Sequence, residues 1–338
     1  MSQSEFEIIR RYFAESGLYF PRPGVELGIG DDGAVLQVPT DSLLTMSMDI
    51  LVEGVHFPHS ADPAQVAYRA LAVNLSDLAA MAADPFCFTL GLVLPDANES
   101  WLAGFSEGLL ELAQDFKCPL VGGDITRGPL SIAIQVHGLC KQERVLRRDG
   151  AEVGDLIYVT GTLGDGAIAL ASLGLDSHLG SSFTVDGEKQ TDACKQHFHN
   201  AYYRPKPRIK FSNNCADFMS SGIDVSDGLV GDLGHVIKAS GVGAVLNTKS
   251  FPYSNPATCC VSESNRQLAA LFGGDDYELC VSVPALNCRE FEAAAESVLT
   301  QITCIGEIVT GSAIRCLDSQ EEEIDLSSGA YMHFRGAN

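Results

Sequence analysis

The apolar positions of this chain recur at two periods, and each period predicts an element. Residues 4–16, SEFEIIRRYFAES, carry apolar side chains at helical spacing and predict an opening amphipathic helix. The segments AVLQV and LLTMSMDILV are short, apolar and bounded by turn residues, which predicts strands. After Asp62-Pro63, a helix-start signal, AQVAYRALAVNLSDLAAMAA runs at helical period and ends before Pro85. FCFTLGLVL then predicts a strand, ESWLAGFSEGLLELAQDF a helix, and LSIAIQVHGLC another strand. A Gly-rich, charged passage, RVLRRDGAEVGD, leads to the strand LIYVTG and puts a domain boundary between residues 148 and 149.

The second half alternates again. DGAIALASLGL predicts a helix, residues 176–192 are polar and low in signal, and PKPRIKFSNNCADFMS predicts a helix. In GIDVSDGLVGDLGHVIKAS a short strand turns into a helix, and YELCVSV, REFEAAAESVLT and TCIGEIV continue as strand, helix, strand. Strands and helices mixed in both halves predict an α/β (α+β) chain of two packed domains.

Composition narrows the partners. With 46% hydrophobic and 20% charged residues, 338 residues suffice for about two globular domains. The formal charge of −22 argues against a nucleic-acid surface, because phosphate backbones recruit basic patches. The eleven cysteines form no C-x-x-C pair and the eight histidines no H-E-x-x-H pattern, which disfavours a zinc enzyme. No apolar run approaches membrane-spanning length, and the start MSQSEFEIIRRYF has no signal-peptide core. The expectation is a cytoplasmic protein with reduced cysteines.

The candidate chemistry lies in glycine–aspartate loops. ELGIGDDGAVL fits a G-x-G-x-x-G spelling at Gly28, Gly30 and Gly33, the fingerprint of a dinucleotide-binding turn. That reading fails twice: a β-like segment ended by proline follows, not a helix, and Asp31 and Asp32 would repel phosphate directly. Aspartate recurs at the ends of apolar segments: Asp49 in SMDI, Asp77 in NLSDLA, Asp124 in GGDITRG, Asp224 and Asp227 in GIDVSDGL, and the GGDDYEL stretch at 273–279. Any one of these alone reads as a turn or cap residue. Asp77 does not, since it lies inside a helical pattern. Glycine admits close backbone approach and carboxylates are hard oxygen ligands, so the set together predicts a polyphosphate site bridged by Mg²⁺.

These loops carry a resemblance. GIGDDGAV, SMDILVEGVHF, ALAVNLSDLAAMAADP, GGDITRGP, YVTGTLGDGA, IDVSDGL and GGDDYELC, in this order over nearly the whole chain, resemble the thiamine-monophosphate kinase family. Its superfamily includes aminoimidazole ribonucleotide synthetase, selenophosphate synthetase and a hydrogenase-maturation enzyme. The resemblance implies an N-terminal mixed-sheet domain (1–148) that binds ATP and Mg²⁺ and forms a dimer barrel. It also implies a C-terminal α/β domain (149–338) completing the active site.

It implies Mg²⁺-ligating positions at Asp32, Ser47, Met48, Asp49, Asp77, Asp124, Asp224 and Asp227. Met48 replaces a common threonine there and could contribute only its carbonyl. Nucleotide contacts fall on Gly123, Asp124, Arg148 and Ser226, and thiamine-phosphate contacts on His56, Asp275 and Tyr331. Asp275 departs from the family's usual glutamate and is one methylene shorter. The implied catalytic residues are Asp49, Asp124 and Arg148.

The implied reaction is transfer of the γ-phosphate of ATP to thiamine monophosphate in a homodimeric cytoplasmic kinase, the last step of thiamine diphosphate biosynthesis. The acceptor phosphate is already ionised, so no general base is needed, and positioning with charge neutralisation should dominate. Rival readings are a superfamily enzyme with a different acceptor, a non-catalytic nucleotide sensor, or a metal-dependent phosphohydrolase. No cysteine precedes Cys87 to handle selenium, and the ending YMHFRGAN lacks a cysteine tail, which disfavours two of the superfamily alternatives.

Overall fold

The structure, a computed structural model, describes residues 4–175, 179 and 183–326. The chain divides into two compact units, Met1–Leu78 with Ala83–Val145, and Ala79–Ala82 with Leu146–Asn338.

The first unit runs α1 (Glu5–Ile8), β1 (Val25–Leu27), β2 (Val35–Leu36), β3 (Ser42–Val52), α2 (Pro63–Ala80), β4 (Asp84–Leu94), α3 (Glu99–Asp115), β5 (Leu120–Arg127) and β6 (Ser131–Lys141). The capping box of Ser4 and Glu7 starts α1, which passes at Ile9 into a π-helix ending at Ala14. The predicted strand AVLQV is reduced to Val35–Leu36, paired with β1 across the acidic loop. GGDITRG, read as a loop, lies on strand β5.

Four strands form a mixed sheet in the order β3-β6-β4-β5, with β4 and β5 parallel and the other pairs antiparallel. Register assigns its two faces. Val136, Ile134 and Ile132 stand opposite Ser47, Asp49 and Leu51 on one side, and opposite Phe88, Leu90 and Leu92 on the other. This face is buried, with Ile132, Ile134 and Val136 all at 0% exposure, and α2 lies on it. The opposite face of β3 carries Leu44, Met46, Met48 and Ile50, exposed at 39%, 57%, 53% and 53%. An apolar row on an edge strand is an uncovered surface.

The second unit runs β7 (Leu156–Thr160), α4 (Asp165–Ser172), α5 (Asp192–Tyr203), α6 (Ile209–Cys215), β8 (Ser221–Val225), α7 (Leu229–Ser240), β9 (Gly243–Asn247), α8 (Asn255–Cys260), α9 (Glu263–Phe272), β10 (Glu278–Val283), α10 (Cys288–Ser297), β11 (Ile302–Val309) and β12 (Ile314–Leu317). The six-stranded sheet has the order β12-β9-β11-β7-β10-β8, with only β12 and β9 parallel. Ile157, Val159, Ile223, Val225, Leu229 and Leu233 form part of its buried core. The helix predicted from Pro205 begins only at Ile209, because Pro205 and Pro207 lack amide donors and disfavour helical backbone at the residues before them. Among the described residues no helix is long and apolar enough to cross a membrane.

Candidate active site

In the first unit, the acidic loop and the first part of the GGD strand, β5, line one cleft of about 430 Å³. Asp31, Asp32 and Gly33 form one side, Gly122, Gly123 and Asp124 another, and Phe6, Ile9 and Phe13 supply apolar surface. Asp32 and Asp124 are exposed. Asp32 donates its amide to Asp31 Oδ1 at 2.9 Å, so the two carboxylates share a tight turn. Gly123 is fixed by packing: it pairs with Leu90 of β4, and a Cβ there would run into the Leu90 carbonyl. The expected nucleotide position Gly123-Asp124 and the expected metal position Asp32 thus meet at one cavity.

A second cluster forms where β3 crosses α2. Ser47 Oγ donates to Asp77 Oδ2 at 2.5 Å, and the Asp49 amide donates to Asn74 Oδ1 at 3.0 Å. Asn74, fully buried, donates its own Nδ2 to Ala70 O, so α2 holds the strand in place. Alternation along β3 puts Ser47 and Asp49 on this face and the side chain of Met48 on the other. His56 accepts the Val52 amide on Nδ1 at 3.0 Å, which leaves Nε2 to carry the proton of a neutral ring.

In the second unit, Asp224 is buried near the end of β8, and Ser226 and Asp227 follow in the loop before α7. Asp232, on the first turn of α7, accepts the amides of both Ser226 and Asp227 at 3.0 Å. Burial pushes the Asp232 carboxyl up to about 7, opposed in part by these amides and by the charge of Arg148. Arg148 is exposed, and its carbonyl accepts Ser240 Oγ at 2.9 Å. Asp275 donates its amide to Ser226 O at 2.9 Å, which ties GGDDYEL to VSDGL. Tyr331 lies outside the described residues.

Asp275 also lines a polar cleft of about 270 Å³, with Thr162, Asp165, His197, Arg204 and Glu278 among its walls. Its charges are largely matched. Arg208 grips Glu278 through both guanidinium arms, and Thr160 Oγ1 donates to the same carboxylate at 2.5 Å. His197 Nε2 lies 2.9 Å from Asp165 Oδ2, and that hydrogen bond, opposed by burial, holds the imidazole pKa above its usual value. Ser254 and Thr162 donate to Asp165 as well.

Sequence reasoning missed Asn74, Asp232, Asp276 and the Arg208–Glu278 pair. Asn74, Asp276 and the Arg208–Glu278 pair act on backbone or partners far away in sequence, and Asp232 reaches back from α7 to the loop before it, which no local pattern announces. Among the described residues no group of three or more His, Cys, Asp or Glu side chains is gathered as a metal site. The oxygen-only donors Asp32, Ser47, Asp49, Asp77 and Asp124 nevertheless suit Mg²⁺ in kind, and the Ser47–Asp77 contact already brings two of them together.

The N-terminal domain of AIR synthase related protein matches residues 30–140, and its C-terminal domain matches residues 152–318. The chain is 43% identical over 335 residues to the thiamine-monophosphate kinase of Escherichia coli (strain K12), covering 99% of each protein. Its fold matches the crystal structure of thiamine-monophosphate kinase from Stenotrophomonas maltophilia K279a with a TM-score of 0.81 and 38% identity, over 94% of this chain and 97% of that one. It also matches the structure of AaThiL complexed with AMPPCP and TMP, with a TM-score of 0.73 and 28% identity, over 90% and 92% of the two chains. With both domains matched in order and such identity sustained from end to end, the chain belongs to the AIR synthase related family, in its thiamine-monophosphate kinase branch.

Proposed function

We propose that this chain transfers the γ-phosphate of ATP to thiamine monophosphate, giving ADP and thiamine diphosphate. The observation that carries the reading is the 430 Å³ cleft, where the acidic loop and the GGD strand meet beside apolar surface. A nucleotide needs this combination: a greasy wall for the base and a glycine-lined, metal-compatible end for the phosphates. Kinship to a structure holding AMPPCP and TMP supports both substrates.

The residues suited to hold Mg²⁺ in the first unit are Asp32, Ser47, Asp49, Asp77 and Asp124, with Met48 able to offer only its carbonyl. The second unit presents Asp224 and Asp227. Bound Mg²⁺ would neutralise phosphate charge and orient the transferred group. The chain's own residues do the remainder. Gly123 lets backbone come close to the nucleotide, and Arg148 and Ser226 offer donors to phosphate oxygens. Asn74 and Asp232 hold the carboxylate-bearing segments at fixed positions. His56 and Asp275, with Tyr331 beyond the described residues, orient the acceptor. The acceptor oxygen is ionised at neutral pH, so no side chain has to remove a proton, and positioning supplies much of the rate.

The uncovered row Leu44, Met46, Met48 and Ile50 supports a homodimer in which a second copy closes the sheet into a barrel. The reducing cytoplasm suits eleven free cysteines.

The test is product analysis by mass spectrometry with ATP, Mg²⁺ and thiamine monophosphate, and unphosphorylated thiamine as control acceptor. Thiamine diphosphate should form only from the monophosphate and only with Mg²⁺. ADP release with no diphosphate would instead mark a phosphohydrolase.

A further inference from the structure

Two adjacent aspartates stand in GGDDYEL, and only the first was expected to matter. Both line the polar cleft of the second unit, and Asp276 turns its carboxylate onto backbone there. Its Oδ2 accepts the Gly164 amide at 2.7 Å, and its Oδ1 accepts the Gly166 amide at 2.9 Å. Both donors belong to the first turn of α4, so one carboxylate clamps the start of a helix to the GGDDYEL loop. Desolvation holds the Asp276 carboxyl well above the usual carboxylate range, and the two amides oppose that shift. An ionisable group kept in this setting by two directed donors is a built contact.

The loop needs such a clamp. Asp275 and Tyr277, on either side of Asp276, hold φ angles of 70° and 49°, the left-handed region that non-glycine residues rarely enter and bulky ones least. Two backbone ties hold the loop from the β8 side: the Asp275 amide to Ser226 O and the Tyr277 amide to Val225 O, both at 2.9 Å. From the α4 side, the Asp276 carboxylate adds two directed ties. The fit there is close: a Cβ on Gly166 would run into the Asp275 backbone, and one on Gly274 into the Ser226 carbonyl.

We propose that Asp276 is a positioning residue for the acceptor: by clamping α4 to the loop, it holds Asp275 in its strained conformation at the wall of the cleft. This rests on the reading of Asp275 as an acceptor contact. Loosening the clamp lets residue 275 relax, so the affected quantity is recognition of the acceptor. ATP recognition and the rate at saturation are spared.

The experiment compares wild type, Asp276→Asn, Gly166→Ala and Asp275→Ala, each checked for folding by circular dichroism and thermal melting. Asp276→Asn keeps one acceptor oxygen but turns an NH₂ toward an amide donor. It should raise the KM for thiamine monophosphate about tenfold, the scale of one buried amide donor left unsatisfied. The KM for ATP and the kcat should stay within about twofold of wild type. Gly166→Ala keeps the carboxylate yet pushes on the Asp275 backbone, and should give the same split.

Calorimetric binding of thiamine monophosphate needs no turnover and should weaken in parallel, whatever the product. A melting temperature that falls in Asp276→Asn while acceptor affinity stays at the wild-type value would make the clamp merely structural and overturn the proposal. Unchanged acceptor affinity in Asp275→Ala would overturn both the acceptor contact and the clamp that serves it. If Asp275→Ala weakens binding and neither neighbouring variant does, the clamp alone is wrong.

Discussion

Arg208 and Glu278 meet through two parallel hydrogen bonds, Nε to Oε2 at 2.6 Å and Nη2 to Oε1 at 2.5 Å, with side chains only 20% and 13% exposed. The pair joins the segment before α6 to the start of β10, and removing one partner strands the other charge. Glu278→Gln should therefore cost about 3 kcal/mol of stability, at the lower edge for a buried pair because some solvent remains. Chemical denaturation reads the loss. Replacing both residues with apolar ones of similar size should restore part of it, which a simple sum of two losses would not.

Asp49→Asn and Asp124→Asn should remove nearly all turnover, by at least ~10²-fold, with the fold intact. Asp124 is exposed on β5, and the backbone of Asp49 stays tied to Asn74 in an isosteric Asn variant, so the fold should survive both changes. A folded variant that keeps the wild-type rate at limiting Mg²⁺ would remove that residue from the metal set.

His56→Ala and Tyr331→Ala should raise the KM for thiamine monophosphate by about tenfold, the scale of one hydrogen bond to a charged group. The KM for ATP should stay constant in both. Steady-state kinetics with each substrate varied in turn separates the two, and an unchanged acceptor KM in both variants would move the acceptor site elsewhere.

The His197–Asp165 hydrogen bond raises the imidazole pKa above its unfolded value, so protonation stabilises the folded chain. The contribution is complete below the unfolded value of about 6.5 and fades as pH rises through the higher folded one. Melting temperatures of wild type and His197→Gln should accordingly lie furthest apart near pH ~5.5 and converge near pH ~8.5. An equal gap at both pH values would show that the ring acts through packing alone.

Met46→Asp puts a charge on the uncovered row of β3 without touching Ser47, Asp49 or their partners. It should turn a dimer into a monomer in sedimentation or light scattering, because a charge in an apolar contact has no partner. Wild type that is already monomeric at working concentration would refute the dimer.

How much of this was legible depended on how local each signal is. The long elements β3, α2, β4, α3 and β6 stand where hydrophobic period put them, since a buried face imposes its period on sequence. Strand β5 was hidden because GGD reads as a turn, although Gly123 is there to let two strands approach. Helix α5 was hidden by its polar composition, CKQHFHN, and is marked mainly by the Thr191 side chain accepting the Cys194 amide. Of the candidate site, the residues that face a cavity were legible from their glycine–aspartate wording. The residues that hold them were not. Asn74, Asp232 and Asp276 look like ordinary polar positions until the fold brings a backbone amide to each one, from far along the chain for Asn74 and Asp276 and from the preceding loop for Asp232.

The close contact of Gly166 and Gly274 with neighbouring backbone has one further consequence. Where main chain packs on main chain, no side chain lies between to be traded, so the spacing of these loops is closed to gradual change. Residues of the cleft wall that are not so packed, such as His197 and Arg204, leave room for exchange. A lineage could therefore alter what this cleft prefers by single exchanges at its surface, while the scaffold beneath stayed the same from one descendant to the next.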